Sequence, residues 1–201
     1  MKDKKTQTIG YYDTHAIEWS NIHHGDEQES YWKVEMDMFH KFLPCGKVLE
    51  VGSGSGKDAS ALLRLGYDYV GTDASKGLLE IAQKRNPNTI FRCVAVQDLD
   101  FEENEFDGFW TAATLLHMPK NEIDDALKNI VRVVKPNGVG FISVKAGAGE
   151  RKDVETGRWF SYYSSDGFKE ILERNKLRVI ESRTKKGEKD FWLVFFVKVE
   201  K

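Results

Sequence analysis

The chain has 201 residues, 40% of them hydrophobic and 31% charged, which is typical of a globular protein with one domain. Its net charge of −2 comes from acids and bases interspersed along the chain, so no strongly basic face indicates a nucleic-acid partner. No apolar signal segment follows the charged first residues, and the longest apolar run, 191–197, is too short to span a bilayer. We therefore expect a cytoplasmic protein without nucleic-acid or membrane partners.

The N-terminal segment, residues 1–26, is polar but rich in aromatic residues, which disordered segments lack. We expect its first few residues to be loose and the part from about Tyr11 to fold over the mouth of a site. The alternative is that its aromatic side chains simply pack on the surface. Apolar residues recur at helical spacing over 29–43, which predicts an amphipathic helix. We expect 1–45 to be a cap segment and helix on a single globular unit whose main domain is 46–201.

A strand, a glycine turn and a helix then follow one another. The apolar run from Val48 predicts a buried strand, which Gly52, Gly54 and Gly56 break before leucines recur at helical steps. Glycine lets a backbone approach a ligand where a Cβ would clash, and the N-terminus of the next helix offers unpaired N–H groups. The pattern predicts a nucleotide-binding turn, and a purely structural glycine turn is the alternative.

Two acids accompany these glycines. Glu50 lies two residues before Gly52, and Asp73 ends the next apolar strand, at the place where an acid holds ribose hydroxyls in nucleotide-binding α/β proteins. The set Glu50-x-Gly52-x-Gly54-x-Gly56 with Asp73 resembles the first two motifs of class I S-adenosylmethionine (SAM) methyltransferases. The glycine spacing differs from the Gly-x-Gly-x-x-Gly of dinucleotide binders, which disfavours a nicotinamide dehydrogenase.

The remaining elements alternate between helices and strands. Ser75 precedes a helical pattern that stops before Pro87, so it is expected to cap that helix. Further helices are predicted at 121–134 and 164–175, and further strands at 90–96, 106–111, 139–145, 178–185 and 191–197. The connecting segments are a loop at 112–119, a tight turn at 135–138 and a glycine-rich loop of lid length at 146–160.

This alternation predicts a doubly wound α/β fold. The last strand is apolar on both pleat faces, whereas the strand before it carries charges that suit a sheet edge. That difference fits insertion of the last strand into the sheet. The resemblance implies a seven-stranded, mostly parallel sheet in the order 3-2-1-4-5-7-6, with strand 7 antiparallel and helices on both faces.

The resemblance also implies which residues bind SAM and its product S-adenosylhomocysteine. The backbone of Gly52, Ser53 and Gly54 would contact the methionine moiety, and Glu50 would hold its amino group directly or through water. Asp73 would accept hydrogen bonds from both ribose hydroxyls. The adenine would be flanked by two further residues, Ala74 and Ser75.

The adenine side departs from the family pattern at one position. Family members usually carry an acid after the third strand, where this chain has Ala95. Asp98 is the nearest acid, and we expect it to bind the adenine amino group together with the backbone of Val96. The alternative for Asp98 is a turn or capping residue, because Asp is common in turns.

Candidate acceptor residues come from two other segments. His117 follows the fourth strand, where the family meets its substrate, and its neutral imidazole can take a proton near physiological pH. We expect it to be a base or a substrate contact, with a packed or helix-capping histidine as the alternative. Tyr12 lies in Tyr12-Asp13-Thr14-His15-Ala16, which looks like the family segment that caps the SAM pocket.

The glycine-rich loop at 146–160 carries basic residues, and aromatic residues follow at its end. Its bases suit an anionic ligand or are simply solvated, but its aromatic residues at 159–163 need a hydrophobic partner. We therefore expect the segments 11–24 and 146–163 to meet over the methyl group and form the acceptor pocket. Neither histidines nor the two cysteines show metal-ligand spacing, so no metal is predicted.

The loop after strand 4 bears on the acceptor. The run 111–114 lacks the (Asn/Asp)-Pro-Pro-(Tyr/Phe) motif of methylases that act on DNA bases or on protein glutamine. The run 115–119 instead looks like small-molecule methyltransferases. The predicted function is SAM-dependent methyl transfer by in-line displacement to a small-molecule acceptor, in a monomer or weak homodimer. The alternative is a non-catalytic, regulatory module that binds SAM or a nucleotide.

Overall fold

A computed structural model of the protein describes residues 4–24 and 31–201, without the side chains of residues 23 and 24. The helices are α1 (Lys4–Thr14), α2 (Ala16–His24), α3 (Lys33–Phe42), α4 (Lys57–Arg64), α5 (Lys76–Arg85), α6 (Ile123–Val133) and α7 (Ser165–Arg174). The strands are β1 (Lys47–Val51), β2 (Asp68–Asp73), β3 (Ile90–Cys93), β4 (Phe106–Ala112), β5 (Val134–Ala146), β6 (Glu150–Lys152), β7 (Trp159–Tyr163), β8 (Leu177–Lys186) and β9 (Phe191–Val199).

The main sheet runs in the order β3-β2-β1-β4-β5-β9-β8. The first five strands are parallel, and β9 lies antiparallel between β5 and β8. Since β8 and β9 are the sixth and seventh strands of the sequence-based prediction, the predicted order and the antiparallel last strand are confirmed. The two pleat faces of β9 are both buried, because Phe195 and Phe196 belong to different core clusters on opposite sides of the sheet.

The segment predicted as a lid loop is instead largely a β-hairpin. β6 pairs antiparallel with β7, and β7 pairs in parallel with the end of β5 at Lys145 and Ala146. Only the end of β5 is free for this pairing, because β9 covers β5 up to Lys145. The prediction of a loop over 146–160 was therefore wrong in part. Aromatic residues favour strands, and those of β7 are mostly buried.

A second correction concerns the turn predicted at 135–138. β5 already begins at Val134, and its register with β4 shifts between the pairs Phe106–Val134 and Gly108–Val139. Asn137 has a φ of +63°, a left-handed conformation that asparagine tolerates better than most residues. The four residues thus form a bulge within β5 rather than a turn before it.

The N-terminal segment forms helices α1 and α2, which lie over the N-terminal end of α5. Gly77 on α5 makes this contact close, because a Cβ there would lie 2.7 Å from the carbonyl oxygen of Asp13. Ala16 is buried in the same contact. Of the helix predicted at 29–43, residues 29 and 30 lie outside the described part, and α3 covers Lys33–Phe42.

Helices on both faces of the sheet bury two hydrophobic cores. α6 and α7 cover one face with seven side chains that are fully buried, namely Ile123, Ala126, Leu127, Ile130, Val133, Phe168 and Leu172. α3 and α4 cover the other face through Met36, Phe39, Ala59 and Leu62, which pack on Trp110 and Phe141. The carboxyl ends of the parallel strands stay clear of these helices, which is where open α/β sheets bind ligands.

Candidate functional site

The glycine turn after β1 is tied to the end of β2. The backbone N–H groups of Gly52 and Ser53 both donate to the carbonyl oxygen of Thr72, at 2.7 and 2.8 Å. Gly52 has a φ of +78°, and a Cβ there would lie 2.1 Å from Thr114 Oγ1. A Cβ at Gly54 would meet none of the described atoms within 4 Å, so the backbone of the turn borders open space. Only glycine fits at position 52.

Asp73 lies at the end of β2 and faces this turn. Its Oδ2 accepts from the backbone N–H of Gly54 at 2.9 Å, and its Oδ1 accepts from that of Ser75 at 2.8 Å. Burial raises the pKa of Asp73, and these backbone donors oppose the rise. A carboxylate has about four lone-pair sites, so Asp73 keeps acceptor capacity for a ribose hydroxyl.

A cavity of about 230 Å³ opens between the glycine turn and the N-terminal helices. Seven of the residues predicted to form the site line it: Tyr12, Gly52, Gly54, Asp73, Ala74, Val96 and His117. Ala95, the position of the missing family acid, lines it as well. The structure therefore brings together residues from α1, the ends of β1 and β2 and the segments after β3 and β4.

Glu50 is predicted to hold the donor's amino group, but it is not among the residues that line the cavity. Only 2% of it is exposed, and the hydroxyl of Tyr69 donates to its Oε2. Burial raises the pKa of Glu50, the nearby Asp58 raises it further, and the hydrogen bond from Tyr69 opposes the rise. The carboxyl is thus held beneath the turn, and its contact with an amino group stays a prediction.

Three other predicted residues also lie outside the cavity lining. Ser53 is buried within the turn. Ser75 caps α5, as expected, since its Oγ accepts from the backbone N–H of Leu78 at 3.2 Å. Asp98 is exposed, at the end of a short 3-10 helix, Val96–Asp98, so the structure does not support an adenine contact for its side chain. Its alternative as a turn residue fits better.

Gln97 lines the cavity beside Ala95, and sequence reasoning missed it. Its backbone oxygen accepts from Asn129 Nδ2 at 2.7 Å, which fixes the segment. An amide presents both donors and an acceptor, the pattern that an adenine edge requires. The signal available in the sequence was an amide next to the position where the family acid is missing.

The acceptor side of the cavity is built around a hydrogen-bonded pair. The hydroxyl of Tyr12 lies 2.8 Å from His117 Nε2, and His117 Nδ1 lies 2.7 Å from the carbonyl oxygen of Trp159. Arg158 donates from a guanidinium nitrogen to the Tyr12 oxygen at 2.9 Å. Residues distant in sequence thus meet at one point, and no local pattern pairs them.

Both members of this pair are neutral at physiological pH. Burial lowers the pKa of His117 to about 3, and the cations Arg158 and Lys145 lower it further, while the Trp159 carbonyl opposes the shift. Burial raises the pKa of Tyr12 to about 12, and Arg158 opposes that shift. A neutral imidazole next to a neutral phenol leaves one nitrogen lone pair to accept a proton.

Side chains of α1 fasten the helix across the cavity. Asp13 Oδ1 accepts from the backbone N–H of Gly77 at 2.7 Å, next to the ribose side. Thr8 Oγ1 accepts from the backbone N–H of Trp159 at 2.9 Å, on the hairpin side. The two segments that were predicted to meet over the site are therefore in contact here.

The charges of the hairpin have partners of their own. Lys145 pairs with Asp190 at 2.5 Å, and the guanidinium of Arg151 lies over the Tyr162 ring at 3.9 Å. Arg158 alone of the bases considered in the sequence turns toward Tyr12. Lys145 and Arg151 are therefore engaged by an ion pair and by an aromatic ring, rather than simply solvated.

Residues 4–24 and 31–201, as far as their side chains are described, contain no group of three or more His, Cys, Asp or Glu that could hold a metal ion. In the same part of the chain, no helix has the length and apolar character needed to cross a membrane.

Comparisons with known proteins agree with the geometry. A methyltransferase domain family matches residues 49–142. An uncharacterized protein of Methanocaldococcus jannaschii is 30% identical over 84% of this chain and 80% of its own length. A ubiquinone biosynthesis O-methyltransferase of Pelagibacter ubique is 33% identical over 48% of this chain and 41% of its own length.

Among solved structures, 1,6-didemethyltoxoflavin-N1-methyltransferase of Burkholderia thailandensis has the same fold. It superposes with a TM-score of 0.83 at 18% identity, over 100% of this chain and 92% of that one. Its crystals contain 1,6-didemethyltoxoflavin and S-adenosylhomocysteine.

The turn after β1 and the acid after β2 define a nucleotide-binding α/β protein. The family match makes the assignment more specific, because the matched segment, residues 49–142, is a methyltransferase domain that contains the glycine turn, Asp73 and His117. The chain spans less than half the length of the curated methyltransferases that it matches.

Proposed function

We propose that the protein transfers the methyl group of SAM to a small planar molecule that carries an O–H or N–H group. The observation that carries this proposal is the division of one cavity between two sets of residues. Gly52, Gly54 and Asp73 border it on the side where the family binds SAM. Trp19 and Met118 border it elsewhere, together with the Tyr12–His117 pair.

The character of the second set supports a ring-shaped acceptor. Its apolar members, Ile9, Trp19 and Met118, suit a flat hydrophobic body, and the neutral Tyr12–His117 pair supplies a single polar position. Two of the similar proteins are also small-molecule methyltransferases: one is a ubiquinone biosynthesis O-methyltransferase, and the other is a 1,6-didemethyltoxoflavin-N1-methyltransferase.

The proposal assigns roles to this chain's residues. SAM supplies a methyl group already activated by its sulfonium, so orientation of the acceptor provides most of the catalysis. Asp73 and the glycine turn hold the donor, with Ala74, Val96 and Gln97 around the adenine. Glu50, which accepts a hydrogen bond from Tyr69, would hold the amino group of the donor directly or through water.

The test is release of S-adenosylhomocysteine from SAM with defined acceptors. We expect turnover with hydroxylated rings, for which catechol and 1-naphthol are the probes, and none with an oligonucleotide or a histone peptide. Binding of SAM without turnover on any small ring would favour the non-catalytic module instead. A variant with Asp73→Asn serves as the control for donor-dependent turnover.

We also propose a cytoplasmic location and a monomeric or weakly dimeric state. Both described cysteines, Cys45 and Cys93, are free and exposed, which fits a reducing compartment. Sedimentation at several concentrations tests the oligomeric state, and a stable tetramer would contradict it.

A further inference from the structure

The Tyr12–His117 contact has a defined direction. A carbonyl oxygen can only accept, so His117 Nδ1, 2.7 Å from the oxygen of Trp159, must carry a proton. In the neutral ring the other nitrogen, Nε2, then has a lone pair and accepts from the Tyr12 hydroxyl at 2.8 Å. The hydrogen-bond chain therefore runs from Tyr12 to His117 to the backbone of β7.

Arg158 completes the chain at its other end. It donates to the Tyr12 oxygen at 2.9 Å, and a second guanidinium nitrogen, Nε, donates to Thr156 Oγ1 at 3.0 Å. Its guanidinium carbon lies 4.8 to 5.4 Å from the ring centres of Tyr11, Tyr12, Trp19 and Phe160. These contacts fix the guanidinium, so it holds the Tyr12 oxygen in place from behind.

Among the described residues, the hydrogen bonds of the Tyr12–His117 pair leave one lone pair without a partner. His117 uses both ring nitrogens, and the Tyr12 oxygen donates once and accepts once. The remaining lone pair of the Tyr12 oxygen is the position at which an acceptor's O–H or N–H can donate. Tyr12, rather than His117, is thus the residue that meets the acceptor's proton.

We propose that Tyr12 is a catalytic residue that relays the acceptor's proton to His117 Nε2, and that Arg158 positions it for this transfer. The inference rests on the proposed function and names the residues of that same site. It assigns Tyr12 a chemical role in place of the capping role expected from the sequence. Arg158 is a positioning residue, because it acts through Tyr12.

The step balances in atoms and charge. The acceptor's X–H bond breaks and its proton joins the Tyr12 oxygen, while the proton of Tyr12 moves to His117 Nε2. The electron pair of X forms the new X–CH3 bond as the S–CH3 bond breaks. One positive charge disappears from the sulfur and one appears on the imidazole. Because the pKa of His117 is about 3, this imidazolium then gives its proton to water, which restores the neutral ring.

The first test needs no acceptor and reads the histidine directly. NMR of the S-adenosylhomocysteine complex with 15N-labelled histidine reports which ring nitrogen of His117 carries the proton. We expect a neutral ring at neutral pH, because burial, together with the cations Arg158 on the hairpin and Lys145 on β5, lowers the pKa of the ring. We expect it in the Nδ1–H form, because Nδ1 faces the Trp159 carbonyl while Nε2 faces the Tyr12 hydroxyl on α1. In Tyr12→Phe the Nε2 resonance alone should move. A proton on Nε2 at neutral pH would overturn the relay.

The second test is a double-mutant cycle on single-turnover rates with catechol or 1-naphthol. A shared relay predicts that Tyr12→Phe and His117→Gln each lower the rate by a similar factor, roughly 10²- to 10⁴-fold, and that the double variant loses no more. If the rate of the double variant instead falls by the product of the two single factors, the residues act independently and the proposal is overturned. Arg158→Gln should lower the rate with the S-adenosylhomocysteine affinity unchanged.

A neighbouring residue supplies the matched control. Arg151→Gln removes a guanidinium from the same hairpin that lies over Tyr162 instead. It should leave the rate unchanged, and a loss equal to that of Tyr12→Phe would overturn the relay. Wild type that binds SAM but methylates neither ring would refute the proposed function, while the NMR result would still decide the hydrogen-bond chain.

Discussion

The two halves of the cavity are built in different ways. The donor half is mostly backbone: the turn at Gly52 is fixed by hydrogen bonds to Thr72, and its carboxylate follows directly on the next strand. The acceptor half is mostly side chains, and its central contacts join Tyr12 to residues 105 and 146 positions away. A local pattern therefore specifies the donor half, whereas the tertiary fold assembles the acceptor half.

The largest effect expected from this difference is on stability at the donor turn. Gly52→Ala forces a left-handed residue and a clash with Thr114, so we expect a loss of about 2–4 kcal/mol in the free energy of unfolding. Gly66→Ala is the matched control, since Gly66 also has a positive φ, +88°, but open space around it. Denaturant unfolding measures both, and equal losses would show that the contact with Thr114 contributes nothing.

Donor affinity should depend on Asp73 and not on Asp98. Asp73→Asn weakens charged hydrogen bonds to the ribose, at a cost of about 1.5–3 kcal/mol, or roughly ten- to a hundredfold in the dissociation constant. Asp98→Asn should leave the constant unchanged, because that side chain is exposed outside the cavity. Calorimetry with S-adenosylhomocysteine makes the comparison. A larger effect at Asp98 would restore the role expected from the sequence.

The burial of His117 in the acceptor half should affect how the free energy of unfolding depends on pH. The pKa of His117 is about 3 in the folded state and 6.5 as the reference value, so the unfolded chain binds more protons between these values. The contribution of neutral His117 to the free energy of unfolding is therefore fully present above pH 6.5 and is lost as the pH falls toward 3. His117→Gln should therefore flatten this limb by up to about 1.4 kcal/mol per pH unit.

Unfolding curves at several pH values test this, with exposed His15→Gln as the control. The same flattening in both variants would contradict the desolvated environment of His117.

The smallest expected effect on stability is that of replacing Ser75, which lies at the boundary between the two halves of the cavity. Ser75 caps α5 and also donates to Asp13 of α1 at 3.2 Å, whereas Ser164 only caps α7. Alanine at either position should cost about 1 kcal/mol of stability. Only Ser75→Ala should also increase hydrogen exchange in α1. Unchanged exchange there would mean that Asp13 is held by Gly77 alone.

The difference between the halves explains what the sequence could predict. The order of the sheet came from the resemblance to the methyltransferase family, with which the apolar character of the last strand agreed, and Ser75 was recognised as a cap because capping is local. Gly52 and Asp73 were identified by spacing alone. The cap of Ser75 lies within one element and its flank, and the hydrogen bonds that join the Gly52 turn to the end of β2 link consecutive strands.

The remaining features depend on contacts that no local pattern encodes. Arg158 appeared as one of several loop charges, since nothing near it in sequence shows that aromatic rings from α1 and α2 surround it. The hairpin of β6 and β7 depends on the free end of β5, which is known only once β9 is placed. Glu50 was assigned to the ligand from its position before Gly52 and the family resemblance, and its hydrogen bond with Tyr69 could not be predicted because Tyr69 lies on the neighbouring strand.

The central claim is that one cavity holds SAM at the ends of β1 and β2. Titration calorimetry of the wild-type chain with SAM, S-adenosylhomocysteine and NAD tests it most directly. We predict saturable binding of SAM and S-adenosylhomocysteine at one site per chain, weakened by Asp73→Asn, and no binding of NAD. Saturable binding of NAD alone, or SAM binding that Asp73→Asn leaves unchanged, would contradict the claim.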